Sequence, residues 1–342
     1  MIQDIVKSFG LDPSQFTIER TGSGHINQTY KVDGTKAYIL QRINNKVFTR
    51  PELIAANLRK AADHLAKHYP DYLFLSGIKA ADGSEMVYDA EGYPWRLFPY
   101  IDNTITIDRV ETTTEAYAAA SGFAQLSHLL SGCKPSQFSP TIDRFHDLAW
   151  RFEQFETALR NTTDERKAQA QDAIDIAVYF GYLVTQYNDL IRQGGLQLRV
   201  THNDTKINNI LFDATTREVV CVIDLDTLMP GYFIYDLGDM IRTFVSPVSE
   251  EEKDLSQVVF RKAMYDALLD GYFSQMSDSL NSTERTLAPF AGMMMTYIMA
   301  LRMLADFLNG NIYYHITYPE QNLVRARNQL RLLQLLEKNL VS

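Results

Sequence analysis

The hydrophobic pattern opens with three short strand-like runs, residues 16–20, 29–32 and 37–41, with Asp33-Gly34 as a tight hairpin turn between the second and third. Pro51 then opens a helix to residue 68, in which Leu53, Ile54, Leu58, Ala61 and Leu65 recur at helical spacing. Two more strands, 85–89 and 94–101, follow the turns Asp82-Gly83 and Glu91-Gly92. From residue 113 onward the pattern becomes helical: 114–130, 143–160, 165–193, 235–245, 251–275, 284–309 and 320–340. A hairpin at 199–225 interrupts those helices. The order predicts an α+β chain of two lobes, a small antiparallel β-rich lobe at 1–101 and a large mainly helical lobe at 102–342, with a hinge near Tyr100-Ile101-Asp102. No internal repeat or low-complexity tract is present.

Two stretches invite a membrane reading and are better read as core. The apolar segment 290–301 is too short to span a bilayer and runs into Arg302, so it predicts a buried helix. The run 324–338 alternates Arg with Leu, the pattern of a core-facing Leu stripe with a solvated Arg face.

Composition narrows the picture further. With 342 residues and 46% apolar content, the chain has ample material for a core. A net charge of −9 without a basic stripe argues against nucleic acid as a partner. The two cysteines, Cys133 and Cys221, lie far apart, and Cys221 sits in an apolar strand where it is a small hydrophobe. No disulfide framework is indicated, and residues 1–7 lack the features of a signal peptide. A cytoplasmic protein with no membrane partner is expected.

The chemistry is concentrated in His202-x-Asp204-x-x-x-x-Asn209, followed by Val222-Ile223-Asp224-Leu225-Asp226. Kinases hold a hydroxyl nucleophile and Mg-ATP with such a pair of segments. Asp204 is placed to accept the hydroxyl proton, and Asn209 to reach the metal from the same loop with a neutral oxygen. Asp224 offers a carboxylate from the end of an apolar strand, and Mg2+ favours hard oxygen ligands. Either segment alone is weak, since an Asp after an apolar run is often a strand end or a cap. Together they are specific, because the hairpin of 210–213 and 219–223 brings Asn209 and Asp224 to one end.

These segments resemble the aminoglycoside phosphotransferase and choline kinase superfamily, which has a protein-kinase-like fold. Within it, Gly24-His25-Ile26-Asn27-x-Thr29-Tyr30, Leu40-Gln41-Arg42-Ile43-Asn44-x-x-Val47-Phe48, Asp204-Thr205-Lys206-x-Asn208-Asn209, Val222 to Pro230 and Asp236-Leu237-Gly238-Asp239-Met240-Ile241-Arg242 are similar to the N-acetylhexosamine 1-kinases. The resemblance implies transfer of the γ-phosphoryl group of ATP, with Mg2+, to the anomeric hydroxyl of an N-acetylated hexosamine, as in salvage of glycans. It makes Asp204 the catalytic aspartate and Asn209 and Asp224 the metal ligands. It puts His25, Lys206, Arg302 and Tyr313 on the sugar side. Lys206 also suits neutralisation of a developing phosphoryl charge.

One departure stands out. Kinases place a Lys on the third strand, paired with a Glu in the next helix. Here the strand reads Tyr38-Ile39-Leu40-Gln41-Arg42, and the helix centre offers Asn57. Strict alternation turns Gln41 inward to the nucleotide and Arg42 outward. Backbone amides of Gly22-Ser23-Gly24 are the remaining phosphate donors on this side.

Several residues carry two readings. His202 is read as a brace of the loop, and Asp236, Asp239 and Arg242 as a supporting salt-bridge and capping cluster. Asp226 is either a second metal ligand or the cap of the next turn. Arg302 and Asp306, at i and i+4 in an apolar helix, form either a structural ion pair or part of the acceptor site. Cys133-Lys134-Pro135-Ser136-Gln137 resembles a sulfatase signature but has Gln137 in place of its Arg. The alternative functions are a kinase of another small hydroxyl acceptor (another sugar, a choline-like molecule or an aminoglycoside) and a non-catalytic kinase-like binding module. The module predicts loss of Asp204, Asn209 or Asp224, and all three are present.

Overall fold

The computed structural model describes residues 2–22 and 26–341, and these fall into two compact units. The first holds the chain up to Thr106 together with Gly132–Asp143 and Ile210–Pro230, and the second holds the rest. The sequence pattern puts the division at residue 101 and keeps everything later in one lobe. In the structure the boundary lies at Thr106, and two later segments return to the first unit. Strand pairing explains one return: β6 (Thr104–Ile105) pairs antiparallel with β8 (Ile210–Asp213), a contact between segments far apart in sequence.

In the first unit, β1 (Thr17–Thr21), β2 (Gln28–Asp33), β3 (Tyr38–Arg42), β4 (Val87–Tyr88) and β5 (Pro94–Pro99) form an antiparallel sheet in the order β1-β2-β3-β5-β4. Its apolar face is built from Val32, Leu40, Trp95 and Leu97, on which Ile5, Val6 and Phe9 pack. Ile5 and Val6 belong to α1 (Ile2–Ser8), a short helix that the sequence reading does not contain. Helix α2 (Pro51–His68) has the predicted bounds, with Ile54, Asn57, Leu58, Ala61 and Leu65 on its buried face. The hairpin of β8 and β9 (Val219–Val222) pairs Ile210 with Val222.

The second unit is helical, with α3 (Thr113–Leu129), α4 (Leu148–Asn161), α5 (Asp164–Gln169), α6 (Gln171–Tyr179), α7 (Tyr182–Arg192), α8 (Phe233–Phe244), α9 (Lys262–Met276), α10 (Ala288–Leu308) and α11 (Gln321–Leu340). Strands β7 (Leu198–Thr201) and β10 (Met229–Tyr232), the latter running over the boundary at Pro230, complete the elements. A capping box of Thr112 and Glu115 starts α3. The predicted helix 165–193 is three helices, so that Ala173, Ile174 and Ala177 on one and Leu183 and Tyr187 on another can each face inward. The predicted helix 251–275 begins only at Lys262. Upstream, the Asp254 carboxylate accepts Ser256 N–H and O–H, local bonds that compete with a helix.

Helix α10 is long and apolar enough to cross a membrane, yet it is buried among α11, α8 and α4. It approaches α8 backbone to side chain. A Cβ on Gly238 would run into the Ala291 carbonyl, and one on Gly292 into the Ile241 side chain. On α11, Leu323, Leu330, Leu332, Leu333 and Leu336 are buried, while Arg325 pairs with Glu251 and Arg327 with Asp172. That is the core-facing arrangement expected from the sequence.

Candidate active site

Strand β7 runs directly into the loop 202–209. Asn203 takes a left-handed conformation (φ 66°), which is uncommon for a residue with a side chain and is held here by its surroundings. The Asp236 carboxylate, in the first turn of α8, accepts the backbone N–H of His202 at 3.0 Å and of Asn203 at 2.7 Å. Burial pushes the Asp236 carboxyl up, against these N–H donors and nearby His202. The Asn203 side chain closes a ring with Thr201, and a Cβ on Gly231 would strike Thr201 and sit 2.8 Å from Asn203 Oδ1. Buried His202 accepts the Asp204 N–H on Nδ1 at 3.2 Å, a bracing contact. Asp239 pairs with Arg242, which also reaches Glu250.

This scaffold presents Asp204. One of its carboxylate oxygens lies 3.2 Å from Lys206 Nζ, and the other accepts Asn209 Nδ2 at 3.2 Å. Asn209 also donates to the Asp204 carbonyl at 2.8 Å. Burial opposes ionisation of Asp204, but the Lys206 ammonium and His202 outweigh it and hold the carboxyl below its ordinary value. Asp204 in turn raises the Lys206 ammonium above its ordinary value. The arrangement is an ionised, oriented carboxylate able to accept a proton, beside a half-exposed cation. No donor among the described residues occupies Asn209 Oδ1, which leaves a hard amide oxygen for a metal.

The first unit carries the other half of the predicted set. Asp224 stands two residues past β9, exposed, and in a left-handed conformation (φ 56°, ψ 55°). Its neighbour Asp226 is buried, with one oxygen accepting Asn27 Nδ2 at 2.7 Å and the other 2.5 Å from Arg96 Nη1. Both Asp226 oxygens thus face side chains of the first unit. Gln41 and Arg42 lie on opposite sheet faces, as alternation predicts. Arg42 binds Asp89 and Glu91, whereas Gln41 Oε1 accepts two N–H bonds from Arg96 and its Nε2 donates to Thr29. The Gln41 amide is thus engaged by its strand neighbours. Gly22 ends β1 with φ 81°; Ser23, Gly24 and His25 lie outside the described residues.

On the acceptor side, Arg302 and Asp306 make no pair among the described residues. Asp306 instead accepts the backbone N–H of Ile312, Tyr313 and Tyr314 at 2.8–3.0 Å and the Asn322 amide at 2.8 Å. Tyr313 is thereby fixed in backbone and exposed in side chain. The Arg302 guanidinium lies over the rings of Phe145 and Tyr314. Beside it, buried His146 donates Nε2–H to the Asn203 carbonyl at 2.8 Å. Burial pushes His146 down to about 3, with Arg302 and Arg151 adding to the shift and Asp204 opposing it. Arg302 Nε, Tyr314 OH and His146 Nδ1 are buried without a hydrogen-bond partner. Three orphaned polar atoms, with Arg302 stacked on Tyr314 and His146 bonded to the loop at Asn203, are a ready set of contacts for a polar ligand.

His146, Arg151, Tyr314 and Arg96 escape the sequence reading. For Arg96 a signal exists: it is a lone charge inside the apolar strand Pro94-Trp95-Arg96-Leu97-Phe98, and a buried charge needs a partner. His146 sits in Arg144-Phe145-His146-Asp147, where nothing in the local pattern marks it.

Residues 17–274 match the profile of the phosphotransferase enzyme family. Among solved structures, a microcompartment-associated aminopropanol kinase is similar over 99% of this chain and 97% of its own, at 16% identity and a TM-score of 0.65. An amicoumacin kinase in complex with AMP-PNP, Ca2+ and Ami is similar over 96% and 92%, at 12% identity and a TM-score of 0.61. The choline kinase LicA of Streptococcus pneumoniae is similar over 96% and 97%, at 14% identity and a TM-score of 0.54. These likenesses establish a kinase-like fold with a small antiparallel sheet and a larger helical region.

Proposed function

Because the chain belongs to the phosphotransferase enzyme family, we propose that it transfers the γ-phosphoryl group of ATP to the anomeric hydroxyl of an N-acetylhexosamine, as a sugar 1-kinase of carbohydrate metabolism. The observation that carries the kinase reading is the Asp204 carboxylate held between Lys206 Nζ and Asn209 Nδ2, each at 3.2 Å. Asp204 accepts the acceptor's hydroxyl proton, and its depressed pKa keeps it ionised for that task. Lys206 faces the charge that develops on the transferred group. The Asn209 amide oxygen and the exposed Asp224 carboxylate are hard donors that suit Mg2+, with its taste for oxygen and retained waters. When bound, Mg2+ neutralises charge on the phosphates. An amicoumacin kinase of this fold holds a nucleotide analogue with Ca2+, which fits a divalent ion here.

The acceptor reading rests on charge. Two guanidiniums, Arg302 over the Phe145 ring and Arg151 on the Phe145 carbonyl, flank a neutral His146 that bonds the Asn203 carbonyl next to Asp204. Such a lining suits a neutral polyol with an amide carbonyl and disfavours a cationic amine, since like charges repel. His25, Lys206, Arg302 and Tyr313 are the proposed sugar contacts. The competing reading is a kinase of an amino alcohol, supported by the fold shared with aminopropanol and choline kinases. ADP release measured over N-acetylglucosamine, N-acetylgalactosamine, plain hexoses, choline, aminopropanol and aminoglycosides separates the two. Turnover confined to the N-acetylated sugars supports the proposal, and turnover of an amine alone overturns it.

A further inference from the structure

The strand lysine and helix glutamate that kinases pair are absent, yet the same unit contains a different buried ion pair. Arg96, on β5, lies directly across from Gln41 on β3, which in turn lies across from Thr29 on β2. On that face the guanidinium meets both Gln41 and Asp226. Nε and Nη2 donate to Gln41 Oε1 at 3.0 and 2.8 Å, Nη1 is 2.5 Å from Asp226, and the Phe98 ring lies 4.9 Å from the guanidinium carbon. The Arg96 and Asp226 side chains are 4% and 3% exposed, so water does not stand in for either partner.

Asp226 is only two residues past Asp224. Its second oxygen takes the Asn27 amide, whose own oxygen accepts the Asn44 N–H at 3.0 Å. Two residues further on, the Leu228 carbonyl accepts Asn57 Nδ2 at 2.9 Å, and Asn57 also exchanges two hydrogen bonds with Ser139. Asn57 stands at the centre of α2, where the kinase pattern has its Glu. The segment 224–229 is thus fastened at Asp226 and at Leu228 by the sheet and by α2, while Asp224 between β9 and these anchors keeps a left-handed backbone, which residues with a side chain adopt only occasionally.

We infer that Arg96 is a positioning residue for the metal-binding aspartate: through Asp226 it fixes the strained backbone of Asp224, and Gln41 orients Arg96 instead of contacting the nucleotide. This inference rests on the reading of Asp224 as a metal ligand. It assigns to an arginine–aspartate pair, and to Asn57, the ordering task that the lysine–glutamate pair performs in kinases. Arginine is required because one planar fork must serve an amide and a carboxylate at once, which a lysine ammonium cannot do in the same geometry.

The test is a titration of Mn2+ in the presence of AMP-PNP, followed by the electron paramagnetic resonance of free Mn2+. Asp224→Ala reports on the metal reading, Arg96→Lys and Asp226→Asn on the inference, and Arg42→Lys, on the opposite sheet face, on general damage to the sheet. Arg96→Lys and Asp226→Asn are expected to weaken Mn2+ binding by about tenfold or more, as loss of groups that orient metal ligands does. Arg42→Lys is expected to leave it unchanged. Hydrogen exchange in metal-free protein should quicken over residues 223–229 in the same two variants. If Asp224→Ala loses Mn2+ binding while Arg96→Lys and Asp226→Asn bind as wild type, the inference is overturned and the metal reading stands. If Asp224→Ala binds as wild type, both fall. Should Arg96→Lys not fold, the isosteric Asp226→Asn carries the test.

Discussion

Asp306 accepts the Tyr313 backbone N–H at 2.8 Å and leaves Arg302, four residues before it on α10, without a carboxylate partner. A carboxylate with three backbone donors and an amide is a fastener for the loop 312–314, while the Arg302 guanidinium, over Phe145 and Tyr314, keeps a buried Nε with no hydrogen-bond partner among the described residues.

The two residues should therefore separate kinetically. Arg302→Ala is expected to raise the acceptor KM or lower kcat, by about 1–3 kcal/mol of transition-state stabilisation, while the ATP KM stays nearly constant. Asp306→Ala is expected to lower thermal stability as well, because it removes the acceptor of three backbone N–H groups and of the buried Asn322 amide. An Arg302→Ala enzyme whose ATP KM rises as much as its acceptor KM contradicts the acceptor assignment.

Asp204→Asn keeps the shape of the side chain but removes the base, and its one amide oxygen can accept from only one of Lys206 and Asn209. A fall in kcat of about 10²- to 10⁴-fold is expected, with an unchanged circular dichroism spectrum and melting temperature within a few degrees. Near wild-type turnover counts against Asp204 as the base.

The acid side of the pH profile reports on Lys206. Although burial acts against ionisation, Lys206 is the largest influence holding the Asp204 carboxyl below its ordinary value. Activity is then retained until the pH falls below the ordinary aspartate value of about 4. In Lys206→Ala the support is gone, burial prevails, and the acid limb of kcat/KM should move upward. An acid limb at the same pH in both enzymes contradicts the coupling.

His146 links stability to pH in a different window. Burial holds its native pKa at about 3, whereas the unfolded chain takes the proton near pH 6.5. A depressed native pKa gives stability that is present above the unfolded value and lost as pH falls toward the native one. Between pH 6.5 and 5 this group alone costs the protein about 2 kcal/mol. His146→Gln, which keeps an N–H for the Asn203 carbonyl but cannot titrate, should flatten that part of the urea-stability profile. Equal slopes for the variant and wild type contradict a buried neutral His146.

What the sequence made legible follows from the range of each interaction. Local periodicity was enough for α2, whose bounds are the predicted ones, and for the five-stranded sheet, whose turns carry Asp-Gly and Glu-Gly pairs. Spacing within one loop was enough to place Asp204 beside Asn209. It could not show that Asp226 meets Arg96, because that pair joins segments 130 residues apart through their fold. The same holds for the return of 210–230 to the first unit through β6 and β8. For Arg302 and Asp306 helical spacing allowed a pair as one of two readings, and three backbone donors on one carboxylate, brought by a loop beyond the helix, take Asp306 away from it.

The central claim, phosphoryl transfer from ATP to an anomeric oxygen, is tested most directly by proton and phosphorus NMR of the product formed from N-acetylglucosamine. A phosphate on the anomeric carbon couples to its proton, so the expected spectrum shows phosphorus splitting of the H1 signal. Phosphorus coupled to the protons at the 6-position, or product from choline and none from any hexosamine, contradicts it.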